Sequence, residues 1–251
     1  IENLRRPFKL IITDLDDSLV LGRAEDDQAF EPETKALVSR LRGLGVQVAA
    51  ATGGSLPYTM RRYGERLEDT GRAGQFLAVD GGGRGFKFDD QGRLHEDQPV
   101  WAVPVADSED DVHRLIAIVE ETVRQSAQEQ GLDPARFAVV LPGSEGLPAK
   151  LTVSGVDPGP NQAMAQISQS QREQFAEAIR RRLAQEPAFT PPLGPRAGFR
   201  ALHVHASSLA IEISRADKGE AVRRVLAELG ISPEDTLVIA DSAIDGPMFD
   251  A

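Results

Sequence analysis

Short apolar runs alternate with segments of helical periodicity over the first eighty residues. Strands are predicted at three nearly continuous apolar runs, residues 8–13, 46–51 and 76–79. A helix is predicted to open at Glu31-Pro32-Glu33 and to end at Gly45, and a second is predicted over 56–67. Because strands and helices alternate, this part of the chain is typical of a doubly wound α/β sheet.

The pattern changes after Gly81-Gly82-Gly83, which we interpret as a hinge. Two long helices and four strands are then predicted, at 107–130, 171–185, 137–141, 150–156, 201–205 and 209–214. A helix over 218–229 and a buried strand over 236–240 resume the first pattern. We therefore expect an α/β core domain formed by residues 1–82 and 213–251, with an α+β domain inserted at 83–212.

The composition is that of a globular protein and excludes several functional classes. The chain has 251 residues, of which 28 are basic and 39 acidic, so its formal net charge is 28 − 39 = −11. Such an acidic chain lacks the basic surface expected of a nucleic-acid-binding protein, and anionic membranes would repel it. Without cysteine it has no disulfide, thiolate nucleophile or cysteine-ligated metal. Since no signal-peptide pattern is apparent either, we expect a cytoplasmic protein.

Polar residues follow three of the predicted buried strands. Asp14, Asp16 and Ser18 come after the first, Thr52-Gly53-Gly54-Ser55 after the second, and Asp241 and Asp245 after the last; Lys218 opens the preceding helix. Ligands of open parallel sheets bind beyond the carboxyl ends of the strands, so these groups are expected to converge there.

The converging groups suit phosphoryl transfer. Asp14, Asp16 and Asp241 would repel one another unless a hard cation such as Mg²⁺ neutralised them. One carboxylate can attack phosphorus, and its neighbour two residues further on can exchange a proton with the leaving oxygen and with water. Thr52 and Lys218 can bind and neutralise phosphoryl oxygens.

The pattern Asp14-x-Asp16-x-Ser18, Thr52, Lys218 and Asp241-x-x-x-Asp245 resembles the four motifs of the haloacid dehalogenase (HAD) phosphatase superfamily. The insertion between the second and third motifs is similar to the type II (C2) cap of that superfamily, subtype B. Within it, residues 145–153 resemble a stretch of sucrose-phosphate phosphatases and related Cof-like sugar phosphatases, in which a lysine, here Lys150, contacts the substrate.

The resemblance implies a role for each of these residues. Asp14 would be the nucleophile and Asp16 the general acid and base, while Thr52 and Lys218 would hold the phosphate. Mg²⁺ would be bound by Asp14, Asp16 (through its backbone carbonyl), Asp241 and Asp245. The substrate-binding residues would be Gly53, Gly54, Ser55 and Lys150. The implied activity is Mg²⁺-dependent hydrolysis of a small phosphorylated metabolite, a sugar phosphate above all, through an aspartyl-phosphate.

Several positions depart from the pattern, and alternatives stay open. Gly54 stands where arginine is frequent, Ala240 where glycine is common and Ile244 where asparagine is common.

A phosphomutase of the same fold, or a degenerate member that binds a sugar phosphate without cleaving it, would carry the same motifs. A non-catalytic phosphoacceptor of the receiver type is disfavoured by the motif order. His203 and His205 share a strand face, for which packing or exposure is favoured over metal binding.

Overall fold

The computed structural model describes residues 8–16, 18–19, 32–141, 146–156, 163–189, 201–207, 210–241 and 245–251. The chain divides into two compact units, Ile1–Ala102 with Asp217–Ala251, and Val103–Ala216. Among the described residues, no helix has both the length and the apolar character that crossing a bilayer requires.

The first unit is built around a six-stranded sheet. Its strands, numbered in chain order, are Leu10–Thr13 (β1), Gln47–Ala51 (β2), Phe76–Val79 (β3), Arg84–Lys87 (β4), Trp101–Ala102 (β5) and Thr236–Ile239 (β10). They are arranged β10-β1-β2-β3-β4-β5; the first four are parallel, and β4 and β5 are antiparallel to their neighbours. The predicted doubly wound sheet is confirmed, and β1 to β3 lie within the three predicted runs.

The helices of the first unit connect these strands. They are Pro32–Gly43 (α1), Leu56–Arg62 (α2), Asp69–Arg72 (α3), Lys218–Leu229 (α7) and Gly246–Phe249 (α8). The helix predicted over 56–67 ends earlier, at Arg62, and a 3₁₀ turn follows at Gly64–Arg66. The backbone leaves the helical conformation at Tyr63, which has a φ of −133° and a ψ of −60°.

The second unit is an α+β arrangement with one antiparallel sheet. Its elements are Glu109–Glu129 (α4), Phe137–Val140 (β6), Lys150–Gly155 (β7), Ala163–Gln166 (α5), Gln169–Ala184 (α6), His203–Ala206 (β8) and Ile211–Ser214 (β9). The strand order is β6-β7-β9-β8. Apolar residues on one sheet face pack against α4 and α6, whereas alternation places Lys150, Glu212 and the two histidines on the other face.

Helix starts in the second unit are set by serine caps. The Ser108 side chain accepts a hydrogen bond from the Asp111 amide at the start of α4. Ser168 and Gln171 form a reciprocal capping box, which places the start of α6 at Gln169 instead of the predicted 171.

The hairpin after the predicted hinge belongs to the first unit's sheet. Strand β4 pairs with the whole of β3, from Phe76 opposite Lys87 to Val79 opposite Arg84. The first compact unit therefore continues to Ala102, whereas the sequence-based core domain ends at residue 82. The pairing partner of a short strand is a tertiary property, which the local pattern does not contain.

Gly85 lies directly beneath the indole of Trp101. A Cβ at residue 85 would be 2.2 Å from two ring carbons, and the indole nitrogen donates a hydrogen bond of 3.1 Å to the Gly82 carbonyl. Gly85→Ala is therefore expected to displace the ring and to lower the free energy of unfolding by about 1–3 kcal/mol. Trp101 is the only tryptophan, so urea unfolding followed by its fluorescence measures this unit.

The matched control is Gly43→Ala at the end of α1. A Cβ at residue 43 meets no atom within 4 Å, and alanine is the better helix former, so this variant should not lower the unfolding midpoint. Equal midpoints for Gly85→Ala and wild type would contradict the packing argument.

Candidate active site

Three carboxylates from the two ends of the chain meet at the carboxyl edge of the first unit's sheet. Asp14 directly follows β1, and its amide continues the pairing with β10 by donating to the Ile239 carbonyl at 2.8 Å. Asp241 lies two residues beyond β10, and Asp245 precedes α8. Each of the three offers an oxygen, and these oxygens lie within 4.8 Å of one another. Carboxylate oxygens are ligands that Mg²⁺ prefers, so the donor set fits that ion.

Lys218 at the first position of α7 joins two of these carboxylates. Its Nζ donates to Asp14 Oδ1 at 2.6 Å and also forms an ion pair with Asp245. Asp14 is 6% exposed and Asp245 fully buried. Lys218 therefore supplies a positive charge where two negative charges leave water.

Burial and ion pairing shift the pKa values of Asp14 and Lys218 in opposite directions. Burial raises the pKa of Asp14 above its ordinary value; the ammonium of Lys218 opposes this shift, and the Asp245 carboxylate adds to it. Burial also disfavours the charge of Lys218, but its two carboxylate partners outweigh that effect and raise its pKa. The lysine is thus held as an ammonium ion beside Asp14.

The loop after β2 is tied to the turn after β3. The Gly54 amide donates to the Thr52 hydroxyl at 3.0 Å, and the Asp80 and Gly81 amides donate to the carbonyls of Gly54 and Thr52. Thr52 is buried, whereas Gly53, Gly54 and Ser55 are half-buried. Ser55 occupies the N-cap of α2, without a capping hydrogen bond from its side chain.

The turn itself depends on an aspartate that the sequence analysis did not single out. Asp80 is buried with a positive φ of 54°, and its carboxylate pairs with Arg84 at 2.6 Å. A non-glycine residue with this backbone conformation is uncommon. The adjacent run of three glycines draws attention to the turn, but an Asp–Arg pair at i, i+4 is common on surfaces and gives no further signal.

Asp16 receives two side-chain donors that the sequence analysis also missed. The hydroxyl of Tyr58 donates to Asp16 Oδ1 at 2.8 Å, and Arg62 Nη2 donates to the same oxygen at 3.2 Å. Both donors belong to α2. Their i, i+4 spacing after the Thr52 loop is the one available signal, and it equally describes a solvated helix face.

The remaining predicted residues lie elsewhere or outside the described part of the chain. Lys150 is in β7 of the second unit, where it is buried and pairs with Glu212 at 3.1 Å. Its role as a substrate contact stays a prediction, as does the backbone carbonyl of Asp16 as a metal ligand. Ile244 lies outside the described residues.

The two histidines of β8 do not form a metal site with other residues of the described ranges. Their rings stack with centroids 6.0 Å apart. Within the described ranges, the acidic trio of Asp14, Asp241 and Asp245 is the group of three close metal-ligating side chains.

Residues 157–251 match the family model of the haloacid dehalogenase-like hydrolases. An IMP-nucleotidase structure from Plasmodium falciparum, an IMP-bound mutant, shares 14% identity at a TM-score of 0.65, covering 98% of this chain and 63% of that one. The chain thus spans less than two thirds of that protein's length. No curated protein matches the sequence.

The similarity to two further solved structures extends over most of this chain and over most of theirs. The sucrose-phosphatase of Synechocystis, solved with sucrose and phosphate, is 18% identical with a TM-score of 0.51, over 98% of this chain and 80% of that one. A Streptococcus mutans protein is 12% identical with a TM-score of 0.58, over 96% and 84%. These similarities establish the fold.

Proposed function

We propose that the protein is a Mg²⁺-dependent phosphatase that hydrolyses the phosphate monoester of a small metabolite, with a sugar phosphate as substrate. The observation that carries this proposal is the buried Asp14 carboxylate, held at a strand end by Lys218 beside two further carboxylates. A carboxylate in this position is a nucleophile for phosphorus, and an adjacent ammonium stabilises the negative charge of a transferring phosphoryl group.

The reaction would proceed in two displacements at phosphorus. A carboxylate oxygen of Asp14 attacks phosphorus, the bond to the leaving oxygen breaks, and that oxygen takes a proton from Asp16. Water then attacks the aspartyl-phosphate and gives its proton to Asp16, which releases inorganic phosphate and restores Asp14. Lys218 and the Thr52 loop bind the phosphoryl oxygens throughout.

The acidic trio fits a divalent cation. Asp241 is exposed while Asp14 and Asp245 are buried, so one side of the cluster is open to solvent and to a ligand. Mg²⁺ bound there would neutralise the carboxylates and admit a phosphate dianion to a site that is otherwise negatively charged.

The proposal also names a class of substrate, the sugar phosphates. The likeness of the Lys150 stretch to sugar phosphatases supports a sugar phosphate. The fold is also similar to an IMP-nucleotidase, so nucleoside monophosphates belong in the same substrate panel. A phosphomutase would retain the phosphoryl group until a second hydroxyl arrives, and a degenerate binding protein would release no phosphate from any ester.

Replacing the nucleophile tests the mechanism. Asp14→Asn keeps the shape of the side chain but removes the nucleophilic oxygen, so phosphate release in the presence of Mg²⁺ should fall by about 10³-fold or more. Asp250→Asn, at an exposed position near the C-terminal end, is the matched control and should keep wild-type turnover. Full turnover by Asp14→Asn would exclude an aspartyl-phosphate on this residue.

Metal binding has a readout that is independent of activity. Because a ligand of the folded state stabilises it, saturating Mg²⁺ should raise the unfolding temperature; at one hundred times the dissociation constant the gain is about 2.7 kcal/mol. Asp241→Asn should lose most of this gain, whereas Asp250→Asn should retain it. An equal Mg²⁺ effect in both variants would place the ion elsewhere.

Variants of Lys150 and of its partner Glu212 distinguish a substrate contact at Lys150 from a purely structural ion pair. If the ammonium binds substrate, Lys150→Gln should raise KM for the best sugar phosphate by about tenfold with kcat largely kept. Glu212→Gln breaks the same ion pair from the other side and serves as the comparison. Equal changes of KM in the two variants would assign Lys150 a structural role.

A further inference from the structure

The Asp16 side chain is held from one direction only. Tyr58 and Arg62 both donate to Oδ1, and the hydrogen bonds seen among the described residues reach this oxygen of Asp16 and not Oδ2. The Asp16 side chain is 26% exposed, so it is open to a ligand. A carboxylate bound at one oxygen keeps its second oxygen free to carry a proton and cannot rotate that oxygen away.

Both donors are themselves fixed. The Arg62 side chain is only 9% exposed, and its guanidinium carbon lies 5.8 Å from the centroid of the Tyr58 ring, within the range of a cation–π contact. Both residues lie on α2, one helical turn apart. The pair therefore presents two donors in a fixed geometry, in contrast to a flexible surface ion pair.

Gly54 provides the space for this arrangement. A Cβ at residue 54 would be 2.4 Å from a ring carbon of Tyr58 and 3.0 Å from the next one. Any side chain at this position would force the ring to move. The Tyr58 ring thus occupies the place where the resemblance expects an arginine side chain to begin, and Arg62 brings a guanidinium to the same edge of the sheet from a different position.

From these contacts we infer that Tyr58 and Arg62 are positioning residues for Asp16, and that they orient Oδ2 toward the oxygen of the leaving group. This inference rests on the proposed phosphatase function. In the first displacement Asp16 Oδ2 gives its proton to the leaving oxygen as the bond to phosphorus breaks. In the second displacement the same oxygen takes a proton from water. The two α2 side chains take part in neither transfer.

A leaving-group comparison tests this role. p-Nitrophenolate leaves readily without a proton, whereas the more basic phenolate requires one, so a misplaced acid slows phenyl phosphate more than p-nitrophenyl phosphate. Tyr58→Phe and Arg62→Gln should each lower kcat/KM for phenyl phosphate about tenfold more than for p-nitrophenyl phosphate. Arg62→Lys, which keeps a cation, should recover part of the loss.

The matched control is Arg61→Gln, at the adjacent exposed position of α2, which should leave both rates unchanged. Tyr58→Phe removes only one hydroxyl, so it provides a test even if Arg62→Gln fails to fold, as judged by circular dichroism. Gly54→Ala, which displaces the Tyr58 ring, should show the same selective loss for phenyl phosphate.

The possible results are distinguishable. Equal losses on both esters in Tyr58→Phe, or no loss on either, would overturn the positioning role and leave the phosphatase proposal standing. Failure of the wild-type protein to release phosphate with Mg²⁺ from these two esters and from every sugar phosphate and nucleoside monophosphate of the substrate panel would overturn the proposed function itself.

Discussion

The ion pair between Lys218 and Asp14 connects parts of the chain that are 204 residues apart, and the rest of the site is arranged around it. Asp14 follows β1, Lys218 opens the helix that precedes β10, and Asp245 follows β10. Because β1 pairs directly with β10, the sheet register places these groups together before any side chain interacts. A buried ion pair of this kind contributes little net stability, since desolvation offsets most of the attraction. The ion pair instead determines where the carboxylates lie, because Asp14 and Asp245 can remain buried and charged only where the ammonium of Lys218 reaches both.

Much of the fold and the central part of the site can be predicted from the sequence, because both depend on local patterns. Continuous apolar runs identify β1, β2 and β3, and polar residues directly after a parallel strand must lie at one edge of its sheet. Asp14, Asp241 and Asp245 come together for this reason, and Lys218 joins them at the start of the helix that leads into β10.

The features that were missed all depend on tertiary contacts. The β4–β5 hairpin is locally an ordinary hairpin, and only its pairing with β3 makes it part of the first unit. Helix α2 ends at Arg62 because the backbone turns out of the helical conformation at Tyr63, and the apolar pattern does not show this change. An arginine in a helix is ordinarily solvated, but Arg62 is buried and its guanidinium donates to Asp16.

Gly54 and Tyr58 form one packed unit, and this constrains the order in which the site can change. A larger residue at 54 would require the tyrosine ring to move, whereas loss of the ring would leave space beside the glycine. A change between arginine and glycine at position 54 therefore affects the residue at position 58. The easiest route, in either direction, passes through an intermediate with small residues at 54 and 58. The two positions should covary among relatives, and arginine at 54 should accompany the absence of an aromatic residue at 58.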